Sequence, residues 1–255
     1  LTQVVDANNG LASKVLEALQ NDTFPLIIGG DHSLAMGSIA GASKHFGNNL
    51  AVIWIDAHGD INTHDTSPSG NIHGMPLAAS MGYGYEKLTS IFFNEVKIKP
   101  ENVFILACRD LDKGEIELIN ELKMNVWTTE QINKEGTSKV INDLLTLIKE
   151  KNIKVGLAIN PDTDLSTIYP YLDKIDRVLI MSVVPGKGGQ KFMESVIPKL
   201  MYLKENKYKY NYEIEVDGGI NSDTINFVSD YADIVVSGSF ITNSNDYQEN
   251  IDKLK

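Results

Sequence analysis

The sequence predicts an α/β fold, a mostly parallel sheet with helices on both faces. Short apolar, β-rich runs alternate with helical patterns almost to the end of the chain, the pattern of parallel strands joined by crossover helices. Several of these runs stop at Gly, Asp, His or Ser, and such folds place their chemistry beyond the carboxyl ends of strands. The chain has 255 residues, 42% hydrophobic and 22% charged, enough for one large or two small cores. Eight strand-helix units in this length also suit a closed (β/α)8 barrel, the competing expectation.

The apolar runs place strands at 24–29, 51–55, 102–107, 125–128, 154–160, 177–183, 212–216 and 233–236. Helices fill the intervals: Leu11, Val15, Leu16 and Leu19 repeat at helical spacing, as do Val140, Leu144, Leu145 and Leu147. Residues 59–75, rich in Ser, Thr, Asn, Asp and Gly, read as a loop. All five histidines lie in the first 73 residues, whereas glycine-rich strand ends dominate the last 70 or so. The chain therefore divides into segments 1–150 and 151–255 with different chemistry.

Lys and Arg number 23 against 34 Asp and Glu, a net charge of −11. This balance argues against a grip on phosphate backbones, which needs Lys and Arg to displace counterions, so no nucleic-acid partner is expected. The single cysteine, Cys108, cannot form an internal disulfide, and no apolar run approaches the ~20 residues of a membrane helix. No signal peptide is apparent, so the expected location is cytoplasmic and the expected partner a small-molecule substrate. A homo-oligomer is compatible with this reading. The chain begins at Leu1, not Met, which suggests a fragment.

The segment Trp54-Ile55-Asp56-Ala57-His58-Gly59-Asp60 puts two carboxylates and an imidazole at i, i+2 and i+4 where a strand ends. Strand alternation would point all three to one face, and this donor mix suits Mn²⁺, Zn²⁺ or Fe²⁺. Gly29-Gly30-Asp31-His32-Ser33 adds a second candidate ligand behind another strand, the glycines permitting a tight turn. A lone Asp or His after a strand is more often a helix cap; two such clusters together favour a metal site.

These motifs, with Ser69-Gly70-Asn71-Ile72-His73-Gly74, resemble the successive signatures of the arginase (ureohydrolase) family over roughly residues 1–150. The resemblance implies a three-layer sheet and a Mn²⁺-dependent hydrolase taking L-arginine to ornithine and urea. It implies His32, Asp56, His58 and Asp60 as ligands to two Mn²⁺ ions, with Asp56 or Asp60 bridging. It further implies His73 as a proton shuttle, Asn62, Ser69 and Asn71 at the substrate carboxylate, and Asp112 at the α-amino group. His45, His64 and Asp65 read as solvated surface.

From about residue 152 the glycine turns take over. Pro185-Gly186-Lys187-Gly188-Gly189-Gln190, Asp217-Gly218-Gly219-Ile220 and Ser237-Gly238-Ser239 each follow a strand, and successive glycine N–H groups make anion nests. The spacing is neither that of a Walker loop nor of a dinucleotide fingerprint. With Gly156-Leu157-Ala158-Ile159-Asn160-Pro161, these turns resemble the carboxyl-terminal half of ribulose-phosphate 3-epimerase, a (β/α)8 barrel. That resemblance implies Gly188, Gly189, Gly218, Gly219, Gly238 and Ser239 as phosphate ligands and Asp217 as a metal ligand and acid/base group.

The epimerase-like half lacks the histidines and second aspartate of that family, since residues 152–255 contain no histidine. The arginase-like half lacks the later Asp-x-Asp strand end that completes two coordination spheres; Asp162 with Asp164, or Glu215 with Asp217, are the candidate replacements. The expectation is thus a hybrid: an arginase-type hydrolase with an incomplete dinuclear site, with a sugar-phosphate isomerase and an inactive chimera as the alternatives.

Overall fold

The computed structural model describes residues 1–23, 25–185 and 189–255. The chain divides into two compact units, Leu1–Leu144 with Lys151–Ile153, and Leu145–Glu150 with Lys154–Lys255.

The first unit begins with α1 (Thr2–Gln20) and α2 (Ala35–Phe46), followed by β1 (Val52–Ile55), α3 (Pro76–Ser80), α4 (Glu86–Thr89) and β2 (Val103–Cys108). Next come α5 (Lys113–Leu122), β3 (Asn125–Thr128) and α6 (Thr129–Glu135); α7 (Thr137–Glu150) ends in the second unit. The strands form a parallel sheet in the order β1-β2-β3, with Trp54 opposite Ile105 and Ile105 opposite Val126. β2 is central and almost wholly buried, as continuous apolar runs in parallel sheets require.

Helix α1 turns Asn8, Ala12 and Val15 inward, and α2 answers with Met36, Gly37, Ile39, Ala40, Gly41 and Ser43. A Cβ on Gly41 would lie 2.5 Å from the Ala12 carbonyl oxygen and 2.7 Å from Val15 Cβ, so the helices meet backbone to side chain there. Asn8 is fully buried; its Oδ1 accepts from the Gly37 amide at 2.6 Å, satisfying a first-turn donor of α2. One core cluster gathers Trp54, Ile105 and Cys108 of the strands with Ile61 and Leu77, and another gathers Ala12, Met36, Ala40, Leu88 and Ile91.

The second unit carries β4 (Gly156–Ile159), β5 (Arg177–Met181), α8 (Ile197–Asn206), β6 (Glu213–Asp217), β7 (Ile234–Val236), α9 (Ser239–Thr242) and α10 (Tyr247–Asp252). All four strands pair in parallel in sequential order. Val178, Ile180, Ile214 and Val216 are fully buried, and on the other face Arg177 bridges to Glu213 at 2.8 Å and Glu215 at 3.0 Å. Burial alone would raise the Asp233 carboxyl, but Lys207 and the Ile214 amide hold it below its ordinary range.

The α/β class with parallel strands is therefore the observed one, and among the described residues the strands form no closed barrel; they group into a three-stranded and a four-stranded sheet. The expected strand at 24–29 does not form: residues 25–29 join no ladder, and Phe24 lies outside the described residues. An apolar run becomes a strand only when a neighbour accepts its ladder. Leu26 and Ile28 are instead 75% and 89% exposed, and Ile55 at the edge strand β1 is 75% exposed. No helix is long and apolar enough to cross a membrane, among the described residues.

The helix contact yields a first test. Gly41→Ala gains helix propensity but forces a methyl into the Ala12 carbonyl, so a net loss of about 1–2 kcal/mol is expected. A lower urea midpoint at unchanged slope would show it.

Candidate metal centre

The site forms where β1 stops. Its last ladder bond runs from the Asp56 amide to the Leu106 carbonyl at 3.3 Å, and the chain leaving β2 returns the Arg109 and Asp110 amides to the Ala57 carbonyl at 2.8 and 3.0 Å. The strand alternation expected for Asp56, His58 and Asp60 ends at Ile55. The carboxylates converge through a turn instead: the His58 amide donates to Asp56 Oδ1 at 3.0 Å, and Asp60 adopts φ +50°. Left-handed backbone at a non-glycine residue is uncommon and collects at functional sites. The loop is pinned by the Leu77 amide on the Asp60 carbonyl and the Asn62 amide on the Gly74 carbonyl.

His32 comes from a short 3-10 turn, His32–Leu34, capped by Asp31, whose Oδ1 accepts from the Ser33 amide. Its Nδ1 lies 2.7 Å from Asp60 Oδ2 and 3.5 Å from Asp56 Oδ2, and its ring stacks on Trp54 at 4.3 Å between centroids. His32, Asp56 and Asp60 each offer one ligand atom within 4.8 Å of the others, the one such group of three found among the described residues. One imidazole nitrogen and two carboxylate oxygens at this spacing fit a divalent cation such as Mn²⁺, Zn²⁺ or Fe²⁺. Burial, reinforced by the Asp56 charge, pushes the Asp60 carboxyl up despite His32; Asp56 is held low by the His58 amide and the two imidazoles although burial opposes them. Trp54 Nε1 is buried without a hydrogen-bond partner.

His58 stands beside this group: its Nδ1 is 3.3 Å from Asp56 Oδ1 and its Nε2 3.9 Å from Asp110 Oδ2. A cavity of about 310 Å³ is lined by His32, Asp56, His58, Asp60, Asn62, Ser69, His73 and Asp112, so most of the sequence-derived residues converge. His73 Nδ1 lies 3.7 Å from Asp31 Oδ2. Asp112 Oδ2 accepts from Asn62 Nδ2 at 2.8 Å, linking two expected substrate contacts. Asn71 lines a neighbouring cavity with Asp31 and His73 instead.

Sequence reading missed Glu115. It is buried beside the same cavity, accepting the Ile61 amide at 3.2 Å and the Asp112 amide at 2.9 Å, and burial raises its carboxyl. Its signal was the capping-box spacing Asp112-x-x-Glu115 at the start of α5.

Gly189, Asp217, Gly218, Gly219, Gly238 and Ser239 line a separate cavity of about 340 Å³ in the second unit. Gly218 and Gly219 have φ +126° and +67°, and a Cβ on Gly219 would meet the Phe192 amide at 2.4 Å. Gly188 lies outside the described residues. Asp217, whose carboxyl is raised by burial and by Glu215, lines this cavity. Asp164 caps a 3-10 turn through the Ser166 amide, and Glu215 pairs with Arg177.

The Arginase family profile matches residues 2–164, and that of the Ribulose-phosphate 3 epimerase family matches residues 118–242. The arginase of Brevibacillus brevis is 50% identical over 162 residues, 64% of this chain and 54% of its own. That of Bacillus subtilis (strain 168) is 52% identical over 145 residues, 57% of this chain and 49% of its own. The chain thus spans about half the length of these curated relatives. The crystal structure of arginase from Bacillus cereus superposes with a TM-score of 0.59 at 36% identity, covering 85% of this chain and 70% of that one.

The His32–Trp54 stack provides a reporter. Mn²⁺ added to the apo-protein is expected to change tryptophan emission, and the change should vanish in His32→Ala and in Trp54→Phe, which leaves Trp127 alone. An undiminished response in His32→Ala would place the ion elsewhere.

Proposed function

Because the chain belongs to the arginase family, we propose that its first unit is a Mn²⁺-dependent hydrolase of arginase type, taking L-arginine to ornithine and urea. The convergence of His32, Asp56 and Asp60 at the end of β1 carries this reading. These three residues would hold the cation, with His58, beside Asp56, as the further ligand. A divalent cation there supplies Lewis acidity and makes water a nucleophile near neutral pH.

The chain's own residues supply the rest. Asp112 adds a carboxyl group to the cavity wall beside the metal-binding residues, which favours a cationic substrate over a neutral one. Asp112 and Asn62 receive the α-amino and carboxylate ends, with Ser69 on the same wall. His73, half-exposed at the mouth, passes a proton to the departing amine. Glu115 holds the Asp112 and Ile61 amides, fixing the substrate-binding wall relative to the metal-binding turn.

A second reading, a sugar-phosphate isomerase of epimerase type, is favoured by the glycine-lined cavity. That cavity suits a phosphoryl group, but Asp217 is the one ionisable side chain among its described lining residues. Epimerisation needs a second acid/base group on the opposite face, so phosphate binding without turnover is the form of this reading that the residues support.

With Mn²⁺ present, purified protein is expected to release urea from L-arginine, and His73→Ala to slow it by about 10²–10⁴-fold. No urea at any Mn²⁺ concentration, with calorimetry showing the ion bound, would overturn the hydrolase reading. Two ions per chain in that titration would establish a dinuclear site. Conversion of ribulose 5-phosphate would support the second reading.

A further inference from the structure

We propose that a cavity of about 340 Å³ in the first unit, walled by Lys44, Lys97 and Lys99, is a binding site for a small oxyanion. None of its lining residues lines the metal-site cavity. Lys97 in its wall is only 4% exposed. Buried charges are normally paired with an opposite charge. Among the described residues Lys97 has no carboxylate partner: its ammonium donates to the Thr89 and Phe93 carbonyl oxygens and lies 4.7 Å from the centre of the Phe93 ring. An ammonium has three N–H donors, so one remains after these two bonds.

The surroundings point the same way. Lys44, from α2, places its Nζ 5.0 Å from the same Phe93 ring, and Lys99 lines the cavity two residues beyond Lys97. Glu95 is the single acidic group of the lining, leaving three cations against one anion in a chain whose net charge is −11. An oxyanion would supply the missing counter-charge and accept the remaining N–H, while the Asn48 and Asn102 side chains add polar surface.

Burial pushes the Lys97 ammonium down to about 8, with Glu95 opposing. A lowered lysine value means that folding disfavours the charged form, so above about pH 8 the free protein holds Lys97 neutral while the anion-bound protein regains the proton. The facing groups are Lys44, Glu95 and Lys99. Linkage then predicts anion affinity that falls about tenfold between pH 7 and pH 9, with uptake of about half a proton on binding at pH 8.

Inorganic sulfate is the probe, since its charge is constant over this range. Titration calorimetry at constant ionic strength, in two buffers of different ionisation enthalpy, reads affinity and proton uptake together. The expected result is the tenfold fall and the half proton, with the pH dependence flattened in Lys97→Met. Should Lys97→Met fail to fold, Lys44→Gln and Lys99→Gln, both at exposed positions, are each expected to weaken sulfate binding, and the pH profile of the unaltered protein stands independently. Benzoate in place of sulfate separates an organic carboxylate from a free inorganic ion; binding of either with this pH profile supports the site. An affinity equal at pH 7 and 9 without proton uptake, or one unmoved by the lysine changes, would overturn it.

Discussion

Main-chain hydrogen bonds at the carboxyl ends of β1 and β2 set the geometry on which the first unit's chemistry rests. The Ala57 carbonyl receives two amides from the chain leaving β2, and the Asp56 amide closes the last rung of the ladder. With both strand ends fixed, the turn between Asp56 and Asp60 has little freedom, and the left-handed conformation of Asp60 is held by bonds on either side. The backbone is over-determined, so carboxylates that repel one another are kept at a common point. Side-chain contacts alone, partly exposed as His32 and His58 are, would not hold that arrangement against water.

The two units handle negative charge by opposite means. In the first, carboxyl groups are buried against histidines and main-chain amides, and burial drives Asp60 and Glu115 toward their neutral forms. In the second, glycine turns bare the main chain around a cavity with one carboxyl group, so the polar surface there is backbone. The first arrangement suits a cation and the second an anion. This contrast fits the overlapping family matches over the two parts of the chain.

Most of the sheet could be read directly, because parallel strands buried on both faces appear as unbroken apolar runs; β2 and β5 lie within a residue or two of their expected limits. Residues 25–29 read as well as any of them and form no ladder, since pairing depends on a partner that no local pattern encodes. Asp56 and Asp60 were legible from their place after a strand, though for the wrong local reason: a turn brings them together, not the alternation of a strand. The proximity of His32 rested on a second motif read beside the first. Glu115 escaped because the Asp112-x-x-Glu115 spacing encodes only a local capping box, whereas its second bond, to the Ile61 amide, spans 54 positions of sequence. Lys97 escaped because nothing in a lysine's neighbours announces that its ammonium is buried.

The bare edge of β1 bears on how the protein behaves in concentrated solution. Among the described residues its main chain pairs with β2 on one side only, and Ile53 and Ile55 are exposed, as are Leu26 and Ile28. An unpaired apolar edge is a template for strands of other molecules. The restraint against that association is mutual repulsion from a net charge of −11, and it fades toward the isoelectric point near 4.9. Mild acidification and high salt should therefore bring on self-association well before the cores of either unit give way, which makes handling at neutral pH and low ionic strength the favourable regime.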